Sequence, residues 1–164
     1  MKKPFLAAAV ASLFLATVPV VFAKEANPQW LFVQGAKSAE ITDAGVMVVP
    51  VEREIFAFTD RPYRRHGYLN AHEFVSLWDG GEGSFRADPP NAVLTWVENG
   101  DVQELEVELQ SARVADHGRM IHYEFVTEDG EADVGSITDA ALFIDACADE
   151  MSVSQCQAQF SMYM

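Results

Sequence analysis

AVLTWVENGDVQELEVEL, residues Ala92 to Leu109, decides the fold. Two runs of alternating apolar and polar residues flank Asn99-Gly100, a pair that accepts the positive φ values of a two-residue type I′ turn. A two-residue turn fixes the register: Glu98 opposite Asp101, Trp96 opposite Gln103, Leu94 opposite Leu105 and Ala92 opposite Val107. Because successive side chains on a strand point to opposite faces, Leu94, Trp96, Leu105, Val107 and Leu109 share one face. Glu104, Glu106 and Glu108 project from the other. The stretch predicts an antiparallel hairpin with one apolar and one acidic side.

The same pattern extends in both directions. Trp30-Leu31-Phe32-Val33, Val46-Met47-Val48-Val49 and Ile55-Phe56-Ala57-Phe58 are short runs rich in β-branched or aromatic residues, separated by turn formers. Downstream, Asp116-His117-Gly118 marks a second hairpin whose return strand places Ile121, Tyr123 and Phe125 on one face and His122 and Glu124 on the other. The apolar parity changes between Leu109 and Val114, so a bulge is expected near Ser111 or Ala112. Ala140 to Ile144 reads as a last strand buried on both sides or nearly so. About seven strands joined by hairpins predict a mainly β fold, an antiparallel β-sandwich, with a partly open β-barrel as the alternative.

The ends of the chain speak to compartment. Lys2 and Lys3 precede an apolar run from Phe5 to Val18, and Val21-Phe22-Ala23 suits a signal peptidase, so residues 1–23 are expected to be a signal peptide. The run is interrupted by Thr17 and Pro19 and falls short of the roughly 20 residues of a spanning helix, so no stable membrane anchor is expected after cleavage. A periplasmic or secreted domain over residues 24–146 is the consequence, with 147–164 as a C-terminal extension. Cys147 and Cys156 are the two cysteines, and an oxidising compartment predicts a disulfide between them.

The formal charge is −14, from 11 basic and 25 acidic residues, and loss of Lys2 and Lys3 makes it more negative. Such a field repels phosphate backbones and anionic headgroups, which argues against nucleic-acid partners and peripheral membrane attachment.

Against that background FTDRPYRRHGYLNAHEF, Phe58 to Phe74, stands out for its three arginines and two histidines. Asn70 is a good N-cap and Glu73 stands in the capping-box position, which predicts one short helix carrying Phe74, Leu77 and Trp78 inward and ending at Gly80-Gly81. The segment before it reads as a strand running into a turn set by Pro62, then a basic loop.

FTDRP, the GYLNAHEFVSLW helix and FRADPPNAVL ahead of the acidic hairpin together resemble a group of uncharacterised exported prokaryotic proteins with FSDRP-like and DPPNA-like motifs. The resemblance covers about Trp30 to Asp145. It implies a shared domain and assigns no activity or catalytic residue.

Side-chain type picks out the candidates for chemistry. Arg64, Arg65 and His66 are the expected contact side for a carboxylate or phosphate, because guanidinium groups grip oxyanions in bidentate fashion. Asp60 and Arg61 are expected to anchor the loop. His66 and His72 are six positions apart, so they do not share a helical face, and His117 and His122 with Glu124 lack a recognised ligand spacing. The Asp79–Gly83 loop is oxygen-rich but lacks the EF-hand ligand pattern. There is no G-x-S-x-G elbow and no C-x-x-C pair. Trp30, Trp78 and Trp96 fall at inward positions and read as core.

The sequence thus predicts a non-catalytic exported binding domain, a monomer or weak oligomer with its contact surface on the Arg61–His66 loop. The expected partner is an unknown protein or a small anionic ligand, with no cofactor or metal. The alternative is a small extracytoplasmic hydrolase or metal-dependent enzyme using His66, His72 and Asp60.

Overall fold

In the computed structural model, the described residues are 29–42, 45–81, 84–127, 132 and 135–145. The expected signal peptide (residues 1–23), the expected Cys147–Cys156 disulfide and the rest of residues 147–164 lie outside them. Eight strands form one antiparallel sheet: β1 (Trp30–Thr42), β2 (Val46–Pro50), β3 (Ile55–Thr59), β4 (His66–Leu69), β5 (Asn91–Glu98), β6 (Asp101–Ala115), β7 (Met120–Val126) and β8 (Gly135–Asp145). They run in the order β2-β7-β6-β5-β8-β1-β3-β4, and β2 also pairs with β1. Six strands therefore close on themselves and two branch off.

Of the two expected architectures, the molecule adopts the barrel, and the barrel is closed. Strand β1 makes this possible. One of its edges runs along β8 from Leu31 opposite Asp145 to Ile41 opposite Gly135. Its other edge is shared: Trp30 to Val33 pair with β3, and Glu40 to Thr42 pair with β2. The sheet forks between these two segments.

The β5–β6 register is the one the Asn-Gly turn dictates, from Glu98 opposite Asp101 through Leu94 opposite Leu105 to Asn91 opposite Glu108. Asn99 and Gly100 take φ of 53° and 90°, the left-handed values a type I′ turn requires. The parity change on β6 is taken up by a bulge at Gln110, between Leu109 and Ser111, one residue ahead of its expected place. It returns Ala112 and Val114 to the side of Tyr123 and Ile121.

Inward positions make the core. Ala57, Phe32, Ile144, Ala92 and Val107 lie side by side across five strands, and all are buried. Burying a Leu, Ile or Phe side chain contributes about 1.5–3 kcal/mol. The helix α1 (Ala71–Val75) has the predicted capping box: Asn70 Oδ1 accepts from the Glu73 backbone N–H at 3.0 Å, and the Asn70 N–H donates to Glu73 Oε2 at 2.9 Å. It continues as a 3₁₀ turn over Ser76–Trp78, and α1 meets β4, β6 and β7.

Phe74 and Trp78 are buried there, edge-on to Phe32, Phe85 and Tyr123, with centroids 4.7–6.3 Å apart. The polar atoms buried among these rings have partners. Trp78 Nε1 donates to the Leu109 carbonyl at 3.4 Å, and the Tyr123 hydroxyl donates to Gln34 Oε1 at 2.5 Å. Burial pushes the Tyr123 phenol well above its usual 10.

The last strand corrects one expectation. β8 is not buried on both sides: Ala140, Leu142 and Ile144 face the core, while Phe143 is 46% exposed.

Candidate functional site on the β3–β4 hairpin

The basic loop connects β3 to β4 and is tied by Thr59, which is buried. The Thr59 N–H donates to the Arg65 carbonyl at 2.9 Å, and the Arg65 N–H donates to Thr59 Oγ1 at 2.8 Å. Within the loop the Arg64 N–H donates to the Asp60 carbonyl at 3.2 Å, Arg64 sits at φ 51°, and Arg61-Pro62 is cis.

Asp60, Arg61, Arg64, Arg65 and His66 are all exposed. Among the described residues none of these five side chains is in an ion pair. Among the described residues, the Thr59 hydroxyl and backbone bonds tie the loop, and no ion pair of Asp60 or Arg61 adds to them. Four basic side chains are left at the surface of an acidic chain.

His66 to Leu69, expected to continue the basic loop, instead form strand β4. Phe58 pairs with His66 and Phe56 with Tyr68, so these four rings share the outer face. Phe56 stacks on Phe58 with centroids 5.6 Å apart and meets Tyr68 at 5.3 Å and His66 at 6.4 Å. Tyr68 is 64% exposed. A signal for this face lies in the sequence: if Ile55 and Ala57 face inward, Phe56 and Phe58 must face outward.

Strand registers carry this outer face across the sheet. One row runs Tyr68, Phe56, Val33, Phe143, Val93, Glu106, and a second runs His66, Phe58, Leu31, Asp145. A shallow groove lies over Gly35, where an added Cβ would meet nothing within 4 Å, bounded by Val33, Phe56, Phe58 and Tyr68 with Glu52 and Arg53 at its rim. A second groove, beyond Val33 and Phe58, is lined by Leu31, Val93, Phe143 and Asp145. Burial raises the Asp145 carboxyl above its usual 3.8.

The remaining histidines lie on α1, the β6–β7 turn and β7. His72, in the first turn of α1, lies beside Gly118, its Nε2 3.7 Å from where a Cβ there would stand. His117 is at the tip of the β6–β7 turn, 3.8 Å from Asp116 Oδ1, and Asp116 also holds Arg119 at 2.7 Å. His122 Nδ1 faces Arg113 Nη2 at 2.6 Å across the strands. Burial, then the Arg113 charge, lowers its pKa from the usual 6.5. Among the described residues no three His, Cys, Asp or Glu side chains gather closely enough to hold a metal ion. Glu82 and Gly83 of the glycine loop lie outside those residues.

No protein-family model, no curated protein and no solved structure matches this chain.

Proposed function

We propose that this chain is an exported, non-catalytic binding domain whose contact surface is the β3–β4 hairpin. The observation that carries the reading is the row of Phe56, Phe58, His66 and Tyr68 on the outer face of a hairpin whose connecting loop carries exposed Arg64 and Arg65. Aromatic and arginine side chains are the types that anchor protein interfaces. Exposed apolar rings lose their cost when a partner covers them, and unpaired guanidinium groups gain most from a carboxylate. The ligand class is an acidic protein surface or a small anion.

Retention on immobilised polyglutamate at low salt tests this. A chain of net charge −14 is repelled by such a matrix as a whole, so retention requires a local basic patch. We expect the wild-type chain to be retained and the Arg64→Ala/Arg65→Ala variant to elute with the flow-through while melting at the same temperature. Wild-type protein in the flow-through overturns the reading.

A further inference from the structure

The backbone of β4 has a property that its side chains do not reveal. In an antiparallel pair, opposed residues alternate between pairs that exchange backbone hydrogen bonds and pairs that do not. Thr59 and Arg65 are a bonded pair, through the 2.9 Å bond from the Thr59 N–H to the Arg65 carbonyl. Counting along the register, Phe58–His66 and Phe56–Tyr68 are non-bonded pairs, while Ala57–Gly67 and Ile55–Leu69 are bonded.

The N–H and C=O of His66 and of Tyr68 therefore point away from β3. On that side no described strand pairs with β4, which ends the sheet. Proteins commonly protect such an edge by keeping it short or with a proline, a lysine or a bulge within the strand. His66-Gly67-Tyr68-Leu69 is short, but it has no proline, lysine or bulge.

We propose that the free edge of β4 takes up an extended acidic peptide segment as an additional strand, with its acidic side chains on Arg64 and Arg65. Backbone bonds to His66 and Tyr68 supply the affinity, and the flanking side chains select the sequence, the mode in which strand addition works. The choice of occupant rests on charge. The edge begins at Arg64, Arg65 and His66 in a chain of net −14, and these three are exposed. A second copy would bring another net −14 to the same edge, whereas a short acidic segment meets only the basic end. On the outer face, a residue of the added strand opposite Tyr68 would prolong the Tyr68–Phe56–Val33 row, which requires an apolar side chain there.

This inference rests on the β3–β4 hairpin being the contact surface, and the experiment separates the two. The probe is a capped peptide with two aspartates at each end of a Val-Thr-Val-Thr-Val centre, so that either strand direction brings aspartates to the arginines. The control carries lysines in place of aspartates. Amide hydrogen exchange is followed by NMR on the full chain.

We expect the aspartate peptide to protect the His66 and Tyr68 amides, leaving those of Gly67 and Leu69, already bonded to β3, unchanged. The lysine peptide should bind more weakly by about tenfold or more, equivalent to about 1.4 kcal/mol. Tyr68→Pro removes an outward N–H without touching the β3 ladder and should weaken binding similarly, while Tyr68→Thr, which keeps the N–H, should retain it. If Tyr68→Pro does not fold, the exchange contrast between the two peptides on the wild-type chain decides.

Equal protection by both peptides overturns the charge assignment. Binding that depends on Arg64 and Arg65 without protecting His66 and Tyr68 overturns strand addition and leaves the hairpin as contact surface. Absence of binding together with flow-through on polyglutamate overturns both. Concentration-dependent protection of the same amides without peptide, with a dimer in sedimentation, gives the edge to a second copy and also overturns the proposal.

Discussion

Two hairpins of the same sheet, β3–β4 and β5–β6, bury their inner faces alike and treat their outer faces oppositely. Inside, Ile55 and Ala57 of the first and Leu94 and Val107 of the second join one core. Outside, β5–β6 shows Glu104 and Glu106 to solvent together with the smaller Val97 and Val102, whereas β3–β4 shows His66 and Tyr68 with Phe56 and Phe58 half-buried beside them. Glutamates on an outer face keep a sheet soluble and repel other copies of an acidic chain. Rings on an outer face do neither. The difference separates what folding requires, which is the inner face of both, from what folding leaves unexplained, which is the outer face of one.

The largest test of that division is a pair of cavities. Ile55→Ala and Leu94→Ala each delete a fully buried side chain, and each should cost about 2–5 kcal/mol in denaturant unfolding with a single transition. A cheap Ile55→Ala, or a separate early transition, would make β3–β4 an appendage and break the comparison.

The turns come next. Gly100→Val forces a β-branched residue to φ 90° and should destabilise β5–β6 by about 1–3 kcal/mol in a thermal melt. In β3–β4 the corresponding lesion is Thr59→Val, which deprives the Arg65 N–H of its acceptor and should cost about 0.5–1.5 kcal/mol. Asp60→Ala and Arg61→Ala, both at exposed positions, should stay within about 0.5 kcal/mol of wild type. A large loss from either would assign the anchoring role to those side chains.

The smallest effect concerns a third outer surface, where His122 faces Arg113. A histidine held below 6.5 in the folded chain favours folding fully above that pH, because the unfolded chain takes up the proton first as pH falls. Stability should therefore decline as pH drops through and below 6.5. His122→Gln should flatten that part of the pH–stability curve slightly, and an unchanged slope would remove His122 as its cause.

The two hairpins also differ in how legible they are in the sequence, for physical reasons. In β5–β6 the Asn99-Gly100 turn admits one register, so each pair can be written down from the sequence. The capping box at Asn70 and Glu73 is equally legible because its residues interact locally. Strand β4 is not: four residues containing Gly67 and preceded by two arginines have little β propensity, and β3 imposes their conformation. The exposure of Phe143 is hidden because Ala140 to Ile144 is apolar throughout, and such a run does not say which face is covered. Barrel closure depends on β1 dividing one edge between β2 and β3, a long-range choice with no local signature. The arginines and His66 stand out by charge alone. The rings beside them, Phe56, Phe58 and Tyr68, look like ordinary strand formers until the parity of β3 assigns them a face.

The position of β8 has a consequence for how the molecule comes into being. It is the last described strand along the chain, yet it lies between β1 and β5, paired with both. A chain emerging from its N-terminus has made every other described strand before residue 135 exists. Until then β1 and β5 each expose an unpaired edge of an apolar sheet, and no cylinder can close. Completion of the barrel thus waits for the C-terminal part of the domain. A chain interrupted before Gly135 lacks the strand that joins β1 to β5 and leaves those two edges without their native partner, the kind of exposed edge through which β-rich intermediates aggregate.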